Sequence, residues 1–220
     1  MMKTKAVVFD AYGTLFDVNS AAEKCKDKIG AKWETFANFW RTTQLEYTWL
    51  RSLMKRHKNF WDITEDSLDK SMEVFNINKN MKNELLSLYK ILSPYPEVRE
   101  VLEDLKKKNF KLAILSNGTP DLLKELVENN ELNNLFDDLF SIEEVKIYKP
   151  DPSVYEIPIK KYRIKSNEIT FLSANTWDVS GGGNFGYNSI WVNRHNSVFD
   201  ILDFQPKNEI SNLTQLLDKV

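Results

Sequence analysis

One stretch, Val7-Val8-Phe9-Asp10-Ala11-Tyr12-Gly13-Thr14, limits what this chain can fold into more than any other. An apolar run that stops abruptly at a carboxylate, a glycine and a hydroxyl reads as a buried strand followed by a turn. In parallel α/β sheets ligands bind beyond the carboxyl ends of the strands. Asp10 therefore stands where a nucleophile would be placed. The same residue also suits a plain turn, because Asp and Gly are ordinary turn residues.

The later chain repeats this rhythm. Leu112-Ala113-Ile114-Leu115, the run from Ile169 to Ser173 and the run from Ser189 to Val192 predict strands. The first two of these lead into Ser116-Asn117-Gly118 and Ala174-Asn175-Thr176-Trp177-Asp178. Helices are expected from Glu97 to Lys108, from Pro120 to about Asn129, and from Lys149-Pro150-Asp151-Pro152 to about Tyr162, proline being suited to a first helical turn. Strands alternating with helices imply a Rossmann-like parallel sheet covered on both faces, an α/β core. From Val18 to Pro94 no second strand is evident. Trp33, Phe36, Phe39, Trp40, Leu45, Trp49 and Leu53 recur at helical spacing, Ser67 to Phe75 suggests another helix, and Met81 to Leu92 a third. Ser93-Pro94-Tyr95-Pro96 then breaks the pattern. The expected organisation is an α/β core of residues 1–17 and 95–220, with a helical cap, residues 18–94, inserted after the first strand.

Charge narrows the partners. Lys and Arg number 30 against 32 Asp and Glu, a net charge of −2 with no long like-charged block, which argues against nucleic acid and membrane surfaces. The lone Cys25 cannot form an internal disulfide and fits a reducing compartment. No apolar leader precedes the first strand and no run is long enough to span a bilayer, so a cytoplasmic location is expected.

Four polar clusters fall at strand ends or on loops beside them: Asp10 to Thr14, Ser116-Asn117, Lys149, and Ser173 to Asp178. Each has an ordinary explanation as a turn, a helix entrance or, for Asp178, a helix N-cap. Together they converge on one crevice. The pattern Phe9-Asp10-x-Tyr12-Gly13-Thr14-Leu15, Leu115-Ser116-Asn117, Tyr148-Lys149-Pro150 and Ser173-x-Asn175-x-Trp177-Asp178 resembles the haloacid dehalogenase superfamily, in particular its L-2-haloacid dehalogenase branch. Phe39-Trp40-Arg41 and Gln44-Leu45-Glu46-Tyr47-Thr48-Trp49-Leu50-Arg51 are similar to that branch's substrate-facing cap helix. The resemblance covers essentially the whole chain.

Most members of the superfamily are Mg²⁺-dependent phosphatases with Asp-x-Asp at the first motif, the second Asp protonating the leaving oxygen. Here that position is Tyr12. A phenol of pKa about 10 is a poor acid at neutral pH, and a departing halide needs no proton. Mg²⁺ favours clustered carboxylates, whereas the strand ends offer Asp10 and Asp178 with neutral Ser173 and Asn175 between them in sequence. Metal-independent chemistry without a cofactor is expected, although Asp178 remains a candidate ligand.

The resemblance implies hydrolysis of (S)-2-haloacids to (R)-2-hydroxyacids. Asp10 attacks the halogen-bearing carbon from the rear, forming an ester that water then opens. Lys149 is expected to keep Asp10 ionised and steady the oxyanion, and Asp178, held with the water by Asn175 and Ser173, to activate that water. Ser116, Thr14 and the N–H groups of Ala11 and Tyr12 would take the substrate carboxylate. Arg41 with Asn117 would receive the halide. Tyr12, Leu45, Phe60 and Trp177 would wall the alkyl group, and Tyr155 would support Lys149 and the nucleophile. As plain structure, these aromatics are core and Arg41 a surface residue of an amphipathic helix. Thr42, Thr43 and Ala174 depart from the branch, and Gly181-Gly182-Gly183 predicts an unusually flexible loop after Asp178.

A serine hydrolase would want a Gly-x-Ser-x-Gly elbow and a suitably placed His, but only His57 and His195 occur, neither near such a motif. A dinucleotide enzyme would want Gly-x-Gly-x-x-Gly after the first strand, which is absent. A Mg²⁺-dependent phosphatase of the same superfamily and a non-catalytic protein binding carboxylates or a partner stay open. The apolar side chains between Leu45 and Leu53, and the resemblance, suggest a homodimer.

Overall fold

The strands β1 (Ala6–Phe9), β2 (Lys111–Ser116), β3 (Asp138–Ser141), β4 (Ile169–Ser173), β5 (Asn188–Val192) and β6 (Asn208–Ile210) form one sheet in the order β3-β2-β1-β4-β5-β6. The structure is a computed structural model and describes residues 4–220. Every strand pair is parallel. β1 lies between β2 and β4, with Phe9 level with Ile114 on one side and Leu172 on the other. Its residues Ala6 to Phe9 are fully buried, as expected of a strand covered on both faces. Asp10, Asn117 and Ala174 thus leave three neighbouring strands at the same end of the sheet.

Helices α1 (Ser20–Lys24), α2 (Lys26–Ile29), α3 (Trp33–Leu53), α4 (Phe60–Phe75) and α5 (Lys82–Tyr89) all lie between β1 and β2 in the chain, followed by α6 (Val98–Lys107). α3 runs for 21 residues and buries Phe36, Ala37, Trp40, Thr43, Gln44 and Thr48, a stripe at helical spacing that packs against α4. Asn59 caps α4 by accepting from Asp62 N at 2.9 Å. The chain leaves and re-enters the sheet layer side by side. Asp17 N donates to Ser93 O at 2.9 Å, Tyr95 N to Leu15 O at 3.0 Å, and Phe16 bridges Pro94.

On the sheet side, α7 (Pro120–Asn129) starts at a Thr119 cap and α8 (Pro152–Tyr162) at an Asp151 cap, each followed by proline in the first turn. α9 (Thr176–Phe185) corrects the expected flexible loop, because Gly181, Gly182 and Gly183 sit inside this helix. A Cβ on Gly181 would lie 2.5 Å from the Tyr155 hydroxyl and 2.7 Å from Pro150 Cβ, and one on Gly183 would overlap the Phe204 ring. These glycines serve close packing. Strands β3 and β6, absent from the sequence reading, flank the sheet. Cys25 is buried at the junction of α1 and α2. Among the described residues no helix is long and apolar enough to cross a membrane.

Candidate active site

Gly13, at φ +87°, lets the chain turn back directly after Asp10, and Ala11 O accepts the N–H groups of Thr14, Leu15 and Phe16. The turn brings Thr14 onto the carboxylate. Asp10 Oδ2 accepts from Thr14 Oγ1 at 3.0 Å, Asn175 Nδ2 at 2.9 Å and, more distantly, Ser173 Oγ at 3.4 Å. Asp10 Oδ1 faces Lys149 Nζ at 3.2 Å. One oxygen is therefore held by neutral donors while the other meets a single ammonium. The expectation that Ser173 and Asn175 hold Asp178 is corrected, since both bond Asp10. Thr14 is not free for a substrate carboxylate either, because its Oγ1 donates to Asp10 and accepts from Ala174 N at 2.8 Å.

Lys149 and Asp178 are completely buried and Asp10 is 5% exposed. Lys149 Nζ reaches Asp178 Oδ2 at 2.9 Å, so one ammonium is shared by two carboxylates. Both partners shift upward, for different reasons. Burial works against the Lys149 charge, but the two carboxylates outweigh it and raise its pKa. Burial lifts Asp178 to about 6, assisted by the Asp10 charge and opposed by Lys149. Asp178 lies in the first turn of α9, where the positive end of the helix dipole favours a carboxylate. Its side chain makes no cap bond there, which corrects the N-cap alternative; Asn175 occupies the cap position. Tyr155 donates to Asp178 Oδ1 at 2.7 Å, so it supports Asp178 directly rather than Lys149. Burial holds the Tyr155 phenol well above its ordinary pKa, which keeps it a donor.

The donor set does not suit Mg²⁺. Among the described residues no three His, Cys, Asp or Glu side chains are placed to hold a metal, and the ammonium of Lys149 fills the position between the two carboxylates. Tyr12 is also unsuited to the phosphatase acid role. Burial pushes its phenol well above the ordinary value, and its hydroxyl is buried without a partner among the described residues.

Across the strand ends, Arg41, Leu45 and Trp49 recur every four residues on one face of α3. Arg41 is half-buried; its Nη1 donates to Gln44 Oε1 at 2.8 Å and its Nη2 approaches Tyr12 O at 3.5 Å. Leu45 is half-buried. Phe60 is buried against the Tyr12 ring at 5.2 Å, and Trp177 meets Trp49 edge-on at 5.5 Å. Asn117 Oδ1 accepts from Lys149 N, which leaves its amide hydrogens for another partner. Ser116 Oγ accepts from Gly118 N and donates to no described residue. The N–H groups of Ala11 and Tyr12 likewise have no acceptor among the described residues.

Two members of this constellation are given no role by the motifs. Gln44 is 1% exposed and donates to Thr64 Oγ1 at 2.6 Å and Tyr89 OH at 3.1 Å, which fixes the oxygen that holds Arg41. Tyr89 stacks on Tyr12 at 5.7 Å. Helical spacing puts Gln44 three residues after Arg41, the available signal; nothing in the sequence singles out Tyr89.

A family model for haloacid dehalogenase-like hydrolases matches residues 4–186. The chain is 39% identical over 215 residues to (S)-2-haloacid dehalogenase 4A of Burkholderia cepacia, covering 96% of this chain and 93% of that one. It is 40% identical over 214 residues to (S)-2-haloacid dehalogenase 1 of Pseudomonas sp. strain CBS-3, covering 96% and 94%. The solved structure of L-2-haloacid dehalogenase from Xanthobacter autotrophicus superposes with a TM-score of 0.90 at 32% identity, covering 97% and 96%, and one form of that protein has chloropropionic acid covalently bound. With this fold, this strand-end constellation and these relatives, the chain belongs to the haloacid dehalogenase-like hydrolases, in their (S)-2-haloacid dehalogenase branch.

Proposed function

We propose that this hydrolase converts (S)-2-haloalkanoates to (R)-2-hydroxyalkanoates through an ester on Asp10, without a metal. The observation that carries the reading is the unequal setting of the two Asp10 oxygens, Oδ2 bound by Thr14 and Asn175 and Oδ1 facing Lys149 alone. Oδ1 attacks C2, and the carbon–halogen bond breaks with its electron pair leaving on the halide. Arg41 and the free Asn117 amide receive that anion. Ser116 and the Ala11 and Tyr12 N–H groups hold the substrate carboxylate. Tyr12, Leu45, Phe60 and Trp177 enclose the alkyl group.

Water then attacks Cγ of Asp10 and gives a proton to Asp178. A carboxylate with a pKa near 6 is ionised at neutral pH yet basic enough to take that proton. Charge developing on Oδ2 meets the hydrogen bonds already aimed at it by Thr14 and Asn175. The Cγ–Oδ1 bond breaks, and the departing alkoxide takes a proton from Lys149, which recovers one from Asp178 at 2.9 Å. The Asp10 acid loses its remaining proton to solvent. The hydroxy acid thus leaves with the original Asp10 oxygen.

We read residues 18–94 as a cap over the strand ends, Trp177 meeting Trp49 at its edge, and the protein as a cytoplasmic homodimer. Leu53 is 80% and Met54 60% exposed at the end of α3, a face that a second copy would cover. Sedimentation equilibrium at micromolar concentration reads this: a dimer is expected, and a monomer refutes it. For the reaction, halide release from L- and D-2-chloropropionate in EDTA is compared between wild type and Asp10→Asn. Release from the L enantiomer alone, lost in the variant, is expected; release that requires Mg²⁺, or that survives in Asp10→Asn, overturns the proposal.

A further inference from the structure

We propose that Arg194 is a positioning residue for the nucleophile, a bracket that ties the Asp10 turn to both chain crossings of the inserted helices. It follows β5 and lies outside the constellation described above. Its side chain is 8% exposed. Nη2 donates to Thr14 O at 2.8 Å, Nη1 to Glu97 Oε1 at 2.7 Å, and the guanidinium lies 3.7 Å from the centre of the Tyr95 ring.

These contacts link parts of the chain far apart in sequence. Thr14 is the residue whose hydroxyl holds Asp10 Oδ2, so gripping its carbonyl fixes the backbone from which that hydroxyl is aimed. Tyr95 and Glu97 belong to the returning crossing, and Tyr95 N already bonds Leu15 O on the outgoing one. Glu97 also accepts from Leu213 N at 3.3 Å, anchoring the bracket to the far end of the chain. Arg194 Nε is buried with no partner among the described residues. Lysine could not replace it, because a single ammonium cannot span Glu97 and the Thr14 carbonyl in this forked geometry.

The bracket rests on the proposed role of Asp10, so its test has one arm that needs no substrate. In Arg194→Gln, amide hydrogen exchange at Asp17 and Tyr95 should quicken at least about fivefold relative to wild type, while amides of β1 and β2 stay unchanged. In steady-state halide release, kcat should fall between about tenfold and about a hundredfold with KM within about twofold, because a misplacement of about 1 Å costs on the order of a hundredfold. Arg194→Lys should recover thermal stability through Glu97 without recovering kcat. Arg99→Gln, an exposed arginine bonded to the Asn130 and Glu131 carbonyls, should leave kcat unchanged. If Arg194→Gln does not fold, Arg194→Lys and Glu97→Gln carry the same comparison. Unchanged exchange at the crossings overturns the bracket, and so does faster exchange with wild-type kcat in the folded variant. Absence of halide release from wild type sinks the proposed activity instead, and the exchange arm still decides whether Arg194 holds the crossings.

Discussion

Replacing Tyr155 by Phe takes one hydrogen bond from Asp178 and leaves the ring packed against Phe171, Phe185 and Tyr187, each 5.9 Å away between centroids. The lost bond is from a buried neutral donor to a charged acceptor, worth roughly 1.5 to 3 kcal/mol. It favours the ionised form only, so its loss raises the Asp178 pKa. At 1.36 kcal/mol per unit the rise is about one to two units, from about 6 to between about 7 and about 8. The ionised fraction at pH 7 then falls from about nine-tenths to between about a half and about a tenth. Ester hydrolysis should slow by the same ratio at pH 7 and recover near pH 9. The assay is the pH profile of hydroxy-acid release from preformed ester, measured in wild type and Tyr155→Phe. A variant slowed equally at every pH, with its acidic limb unmoved, refutes the claim that Tyr155 acts by stabilising the Asp178 charge.

Other outcomes follow from the same geometry. Lys149→Met leaves two buried carboxylates without their cation and should cost about 3 to 5 kcal/mol in urea unfolding at pH 8, with less lost near pH 4, where Asp178 takes a proton. Asp178 binds its proton more tightly folded than unfolded, so its contribution to stability is fully present below about pH 4 and is lost as pH rises through about 6. The total is about 3 kcal/mol, from about two units at 1.36 kcal/mol each, read as wild type minus Asp178→Asn across that window. Gly181→Ala forces a methyl into Tyr155 and Pro150 and should destabilise by about 1 to 3 kcal/mol, with an acidic limb displaced in the same sense as Tyr155→Phe.

The central sheet was legible because β1, β2, β4 and β5 are apolar runs that end at turn residues, and burial on both faces leaves that signature in sequence. β3 opens on Asp138, carries two half-buried residues and follows Asn133, Asn134 and Asp137, a composition that reads as loop; β6 is three residues long and is defined by its pairing with β5. α9 was hidden for a different reason. Its three glycines argue against a helix by propensity, and only the proximity of Tyr155, Phe171 and Phe204 explains why side chains are excluded there. At the site, strand-end placement was enough to gather Asp10, Lys149, Ser173, Asn175 and Asp178. Which donor serves which carboxylate was not legible, because Thr14, Asn175 and Tyr155 could each reach either one until the turn at Gly13 and the axis of α9 fix their directions. Gln44 leaves only its helical spacing from Arg41 as a signal, and Arg194 acts through residues distant in sequence and leaves no local pattern.

The most direct test of Asp10 as the nucleophile is a single turnover in ¹⁸O-labelled water with enzyme in excess over L-2-chloropropionate. Because water opens the ester at Cγ, the first lactate formed should be unlabelled and the label should appear in the Asp10 carboxylate, read by mass spectrometry of the peptide that contains it. Labelled lactate with an unlabelled Asp10 would mean that water attacks the substrate carbon itself, and would contradict the ester mechanism.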